Sequence, residues 1–161
     1  MPLISSISTT AWRLQAAAVL TLLAAAAGGC GEKGDPVRQA LDRLEAAAEE
    51  RDAGDFVSGL APDFRAKDGT SRADAEATLR RYFAAYESLD VKTSDVSIER
   101  AADAARVRFR AELSGKPRSI GGGGLEGLLP ARSAYRFDLR LSPSEGGRWL
   151  VTWASWENAS N

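Results

Sequence analysis

The chain has 161 residues, with 21 basic and 22 acidic side chains and a net charge of −1. That balance gives no global attraction to nucleic acid, and no nucleic-acid partner is expected. With no histidine and a single cysteine, the commonest general base, the commonest metal ligand and an internal disulfide are excluded, and neither a metal nor another cofactor is expected.

Arg13 is the only charged side chain before Cys30, and an apolar run from Ala16 to Ala27 follows it. The run is shorter than the roughly 20 residues needed to span a bilayer, so it reads as a secretory signal. Ala27-Gly28-Gly29-Cys30 resembles the lipobox of bacterial lipoproteins, although leucine is commoner where Ala27 stands. The resemblance implies cleavage before Cys30, lipid on its thiol and a membrane as partner. Among such lipoproteins an aspartate after the cysteine resembles an inner-membrane retention signal. Gly31 stands here, which favours the outer membrane, with the protein facing the periplasm. The expected organisation is a signal peptide (1–29), a lipidated cysteine and tether (30–34), one domain (35–157) and a tail (158–161).

Asp35-Pro36 reads as an N-cap with proline at the first helical position. Val37, Ala40, Leu41, Leu44 and Ala48 recur at helical spacing, with an end expected at Gly54. Asp55 is placed to cap a short second helix carrying Phe56, Val57 and Leu60, stopped by Pro62. Asp68-Gly69 marks a tight turn, and Ser71 with Asp74 resembles a capping box. The third helix carries Ala75, Leu79, Tyr82, Phe83 and Tyr86 as one stripe. From Val91 the period becomes two. Val107, Phe109, Ala111 and Leu113 alternate with charge, as do Tyr135, Phe137, Leu139 and Leu141. Trp149, Val151 and Trp153 share one face, with Leu150, Thr152 and Trp156 opposite. An earlier strand surrounds Val96 and Ile98. The pattern predicts an α+β domain, about three helices followed by about four long antiparallel strands. The connection from Ser114 to Arg132 holds four consecutive glycines and then Leu125, Leu128 and Leu129. It reads either as a floppy insertion or as a lid.

The order of elements, with Glu50-Arg51-Asp52, Asp55-Phe56, Asp63-Phe64, Asp68-Gly69, then Tyr82, Phe83 and Tyr86, then a tryptophan-rich last strand (RWLVTWASWE), resembles the nuclear-transport-factor-2-like superfamily. That superfamily includes ketosteroid isomerases and polyketide-cyclase-like proteins. The resemblance spans about residues 35–157 and implies a cone-shaped domain, a strongly curved sheet wrapped around the helices with a pocket at its open end.

For an isomerase, the resemblance implies a carboxylate base and a tyrosine or carboxylic-acid oxyanion hole, both inside the pocket. Here Asp138 and Glu112 share the parity of the arginines, Asp103 lies in a turn, and Asp52 and Asp55 read as helix-end residues. No catalytic residue is assigned. The candidate pocket lining is Phe56, Leu60, Phe64, Tyr82, Phe83, Tyr86, Phe109, Tyr135 and Trp153, all of which also serve as ordinary core. The expected function is a non-catalytic envelope module binding a small apolar ligand or a protein partner. The alternatives are a cofactor-independent isomerase or cyclase acting on a small carbonyl compound, and an assembly subunit with a filled pocket. A homodimer or an envelope protein is the partner expected at the sheet's outer face.

Overall fold

The computed structural model describes residues 34–118 and 130–159. The signal segment, Cys30, most of the tether and the glycine-rich centre of the Ser114–Arg132 connection lie outside the described residues.

Asp35 opens the first helix, α1 (Pro36–Glu50), by accepting hydrogen bonds from the N–H groups of Val37 at 2.8 Å and Arg38 at 3.3 Å. Pro36 sits where its missing N–H costs nothing. The helix stops at Glu50, before the expected Gly54. Arg51 takes the left-handed conformation (φ 58°), and its N–H reaches back to the carbonyls of Ala47 and Ala48. Asp52, not Asp55, then caps α2 (Ala53–Ser58), accepting from the Asp55 N–H at 2.9 Å. This leaves Gly54 inside that short helix. Pro62 does not end the helix but lies in β1 (Leu60–Ala66), an edge strand that tolerates a missing donor.

The third helix, α3 (Arg72–Ala84), begins with the expected capping box. Ser71 Oγ accepts from the Asp74 N–H, and the Asp74 carboxylate accepts from the Ser71 N–H, each at 3.2 Å. Tyr86, expected on the α3 stripe, is instead the first residue of β2 (Tyr86–Arg100), so the sheet starts earlier than Val91. β3 (Ala105–Pro117), β4 (Arg132–Pro143) and β5 (Trp149–Asn158) complete it.

The sheet has five strands rather than four, in the order β1-β5-β4-β3-β2. The extra strand is β1, which pairs parallel with β5, whereas all other neighbours are antiparallel. Its seven residues contain a proline and two charges, Asp63 and Arg65, a composition that period-two reading passes over. Irregular register in β2, between Ser94 and Ser97, and between Arg140 and Leu141 in the β4–β5 ladder adds local twist, and the sheet is curved and unclosed.

The helices cover one face. Val37, Ala40, Leu41 and Leu44 of α1 pack with Val57, Leu60 and Phe64 against Val107, Leu139, Leu141, Val151 and Ala154. A second cluster joins Ala48, Ala53, Phe83 and Leu89. Burial of each large apolar side chain here contributes about 1.5–3 kcal/mol. The helices approach the sheet along β2 on one side and along β1 and β5 on the other, so they bridge the middle strands.

Candidate functional site

The strand registers decide which residues face the helices. Val107, Phe109 and Ala111 stand beside Leu139, Phe137 and Tyr135, and these beside Ala154, Trp156 and Asn158. Leu141 stands beside Val151, but Arg140 stands beside Trp153. Thr152 is therefore the extra residue of a bulge, and the alternation of β5 reverses there. The expected face of Trp149, Val151 and Trp153 is corrected by this bulge. Trp153 turns to the face away from the helices, where the Arg140 guanidinium lies 4.7 Å from its ring centre. Trp156, expected opposite, joins the helix-side face in its place. Trp153 is thus removed from the candidate pocket lining.

On the helix side, a row of partly exposed rings crosses three strands. Phe109 stacks on Phe137 with centroids 5.1 Å apart, and Phe137 meets Trp156 at 6.5 Å and Tyr135 at 6.2 Å. Trp156 is 46% exposed, so the row runs from the core out to solvent. Next to it the only three tyrosines of the chain come together. Tyr82 on α3 lies 5.0 Å from Tyr86, centroid to centroid. The Tyr82 hydroxyl is pushed well above the usual phenol range, first by burial, then by the neighbouring Tyr86 and Tyr135 hydroxyls, with the Ser133 hydroxyl acting the other way. Tyr86 is 1% exposed, and its own hydroxyl donates to the Pro130 carbonyl at 3.1 Å. With the Tyr86 hydroxyl spent on Pro130, Tyr82 and Tyr135 are the phenols left at the end of the aromatic row. The arrangement can hydrogen-bond a carbonyl or hydroxyl oxygen and stack a flat apolar body.

The other expected lining residues are distributed between this site and the core. Tyr82 and Tyr135 stand at the tyrosine group, and Phe109 belongs to the aromatic row. Leu60 and Phe64 are buried in the main cluster and Phe83 in the second, while Phe56 packs between the two. Ser133, Phe137 and Trp156 belong to the site without having been singled out. The alternation already placed Phe137 with Tyr135, and Ser133 shares their parity. Trp156 was hidden by the bulge.

The opposite face is ionic. Arg106 grips Asp138 with two bonds, at 2.9 and 2.5 Å, Arg108 pairs with Glu99, and Arg110 reaches Glu112 at 3.3 Å. A shallow groove of about 370 Å³ crosses the strands from Asp95 to Lys67, lined by Arg108, Arg110, Arg136, Asp138 and Glu157 and also by Phe109, Phe137 and Trp156 of the aromatic row. The mixture of signs gives it no preference for one charge.

No family model and no curated protein matches the chain in sequence. Solved structures do match it in fold. One is from Novosphingobium aromaticivorans, assigned provisionally as a scytalone dehydratase (TM-score 0.65, 9% identity, 78% of this chain and 83% of that one). Another is a nuclear-transport-factor-2-like superfamily protein from Salmonella enterica (0.60, 12%, 78% and 89%). A third is a nuclear-transport-factor-2-like protein from Cytophaga hutchinsonii (0.60, 17%, 80% and 98%). The domain has the nuclear-transport-factor-2-like fold. Within that fold, the curved sheet bridged by helices is the cone, and the aromatic row and tyrosines lie on its inner face.

Proposed function

We propose that this domain is a non-catalytic binding module for a small, flat, largely apolar ligand carrying one oxygen acceptor, anchored in the cell envelope through lipid on Cys30. The observation that carries the reading is the convergence of Tyr82, Tyr86 and Tyr135 beside the Phe109–Phe137–Trp156 row. The groups acting on the Tyr82 hydroxyl are phenols and a serine, with no carboxylate among them. A proton abstraction would need a base within hydrogen-bond reach of the ligand, whereas binding needs only the donors and the apolar surface.

The test is native mass spectrometry of the protein taken directly from cells. A small molecule that leaves on mild activation, and that Tyr82→Phe or Trp156→Ala fails to retain, supports the reading. An apo mass under every growth condition sinks it and moves the weight to an assembly subunit.

A second reading is favoured by the dehydratase-like neighbour. Phenol donors of this kind also stabilise an enolate, so the module could act on a small carbonyl compound. Turnover of a β-hydroxy carbonyl substrate to the α,β-unsaturated product with release of water, abolished by Tyr82→Phe, would select it.

A further inference from the structure

A cleft of about 560 Å³ lies where α1, α2 and α3 come together, lined by Glu50, Arg51, Asp52, Arg80, Phe83 and Arg118 among others. Arg51 is the residue in the left-handed conformation that ends α1. Glycine is the residue that takes this position without cost, and a β-carbon there is strained. The side chain that bears this strain donates through Nη1 to the Tyr86 carbonyl at 2.7 Å. Arg118, just beyond β3, donates through Nε to the same oxygen at 3.1 Å and is fixed by its backbone N–H on the Ala85 carbonyl. Two guanidiniums thus converge on one neutral acceptor.

Among the described residues neither guanidinium has a carboxylate within ion-pair distance. The nearby acids are engaged mainly elsewhere: Asp52 caps α2, Glu76 holds Arg80 at 2.5 Å, and Glu87 pairs with Lys116 at 2.6 Å, with Arg118 a weaker and more distant attraction on it. Glu50 lines the cleft and is exposed, but it pairs with neither arginine. Each guanidinium carries five donors, and the bond to Tyr86 uses one. Two adjacent like charges with spare donors, on the wall of a cleft, make a place where an oxyanion gains charge-assisted bonds and relieves repulsion. Phe83 and Ala84 supply an apolar flank for whatever bears that anion.

We propose that Arg51 and Arg118 form an oxyanion site, for a phosphate or carboxylate head group, distinct from the tyrosine site and independent of what that site binds. The test titrates the full-length protein with inorganic phosphate at constant ionic strength set by chloride, following the Nε–H resonances of the arginines. Saturable shifts confined to Arg51 and Arg118 are expected. Arg118→Ala should weaken binding roughly tenfold or more, the scale of one charge-assisted bond. Arg51→Gly is the decisive variant, because its backbone suits glycine. It should lose phosphate binding while keeping a wild-type melting curve. Shifts reproduced by chloride alone, or binding that survives both substitutions, overturn the site. A parallel arm uses vesicles of phosphatidylcholine with and without phosphatidylglycerol. Arginine-dependent binding to the anionic vesicles assigns the oxyanion to a lipid head group. Phosphate binding without vesicle binding assigns it to a soluble ligand.

Discussion

At the scale of single residues, the closest constraint in the sheet is at Gly115. A β-carbon there would meet the Tyr86 ring at 2.7 Å and the Ser88 carbonyl oxygen at 2.9 Å, and Tyr86 is itself 1% exposed. Neither neighbour can yield, since one is fully packed and the other is backbone. Gly115→Ala is therefore expected to destabilise the domain by about 1–3 kcal/mol, the cost of overpacking, as read from urea unfolding. A second residue-scale prediction concerns Glu45, half-buried on α1. Burial raises its carboxyl above the usual carboxylate range, the Thr93 hydroxyl bond at 3.1 Å works in the opposite direction, and Glu49 adds to the rise. A raised carboxyl binds its proton more tightly in the folded state, so the charged form opposes folding at neutral pH and that opposition fades as pH falls. Glu45→Gln should raise the melting temperature at pH 7, and the gain should shrink below about pH 4, where the carboxyl is protonated in both states. An unchanged difference across that range would refute the burial argument.

At the scale of elements, the helices are set by their ends. The Ser71–Asp74 box leaves the Asp74 carboxyl below its ordinary range through bonds from the Ser71 hydroxyl and N–H. A depressed carboxyl contributes stability above its unfolded pKa and loses it as pH drops through the folded value. Ser71→Ala should cost about 1 kcal/mol at pH 7, and part of that loss should vanish in acid below the carboxylate range. Melting curves at pH 7 and in acid check both signs. The strands are set by a different device. The β5 bulge at Thr152 exchanges Trp153 for Trp156 on the inner face. Deleting Thr152 would remove the extra residue and make the ladder regular, leaving Val151 and Ala154 inward and Trp153 outward as they are now. The tryptophan emission of that variant should stay close to wild type, and the protein should keep the ligand that Trp156 is proposed to stack. A shifted spectrum or a lost ligand would show that Thr152 is not the extra residue.

At the scale of the whole chain, the proposed function puts lipid on Cys30 and the domain at a membrane. Cys30→Ser is expected to move the protein from the membrane fraction to the soluble fraction while leaving the melting curve of the domain unchanged. Membrane association that persists would place the anchor elsewhere. Much of the fold was legible in the sequence because its signals are local. The Asp35-Pro36 cap, the Ser71–Asp74 box, the Asp68-Gly69 turn and the alternation of β3 and β4 each rest on contacts between residues close in the chain. The candidate site was only partly legible. Tyr82, Phe109 and Tyr135 stood out as aromatics on patterned faces, but Leu60, Phe64 and Phe83 carry the same pattern and are plain core. Only the tertiary structure decided that β1 joins β5 in parallel, that Arg51 rather than Gly54 ends α1, and that Trp156 rather than Trp153 faces the helices. Those outcomes depend on partners far away in sequence, where one inserted residue in one strand reverses every side chain after it. A sequence pattern fixes period; register is fixed by what the strand meets.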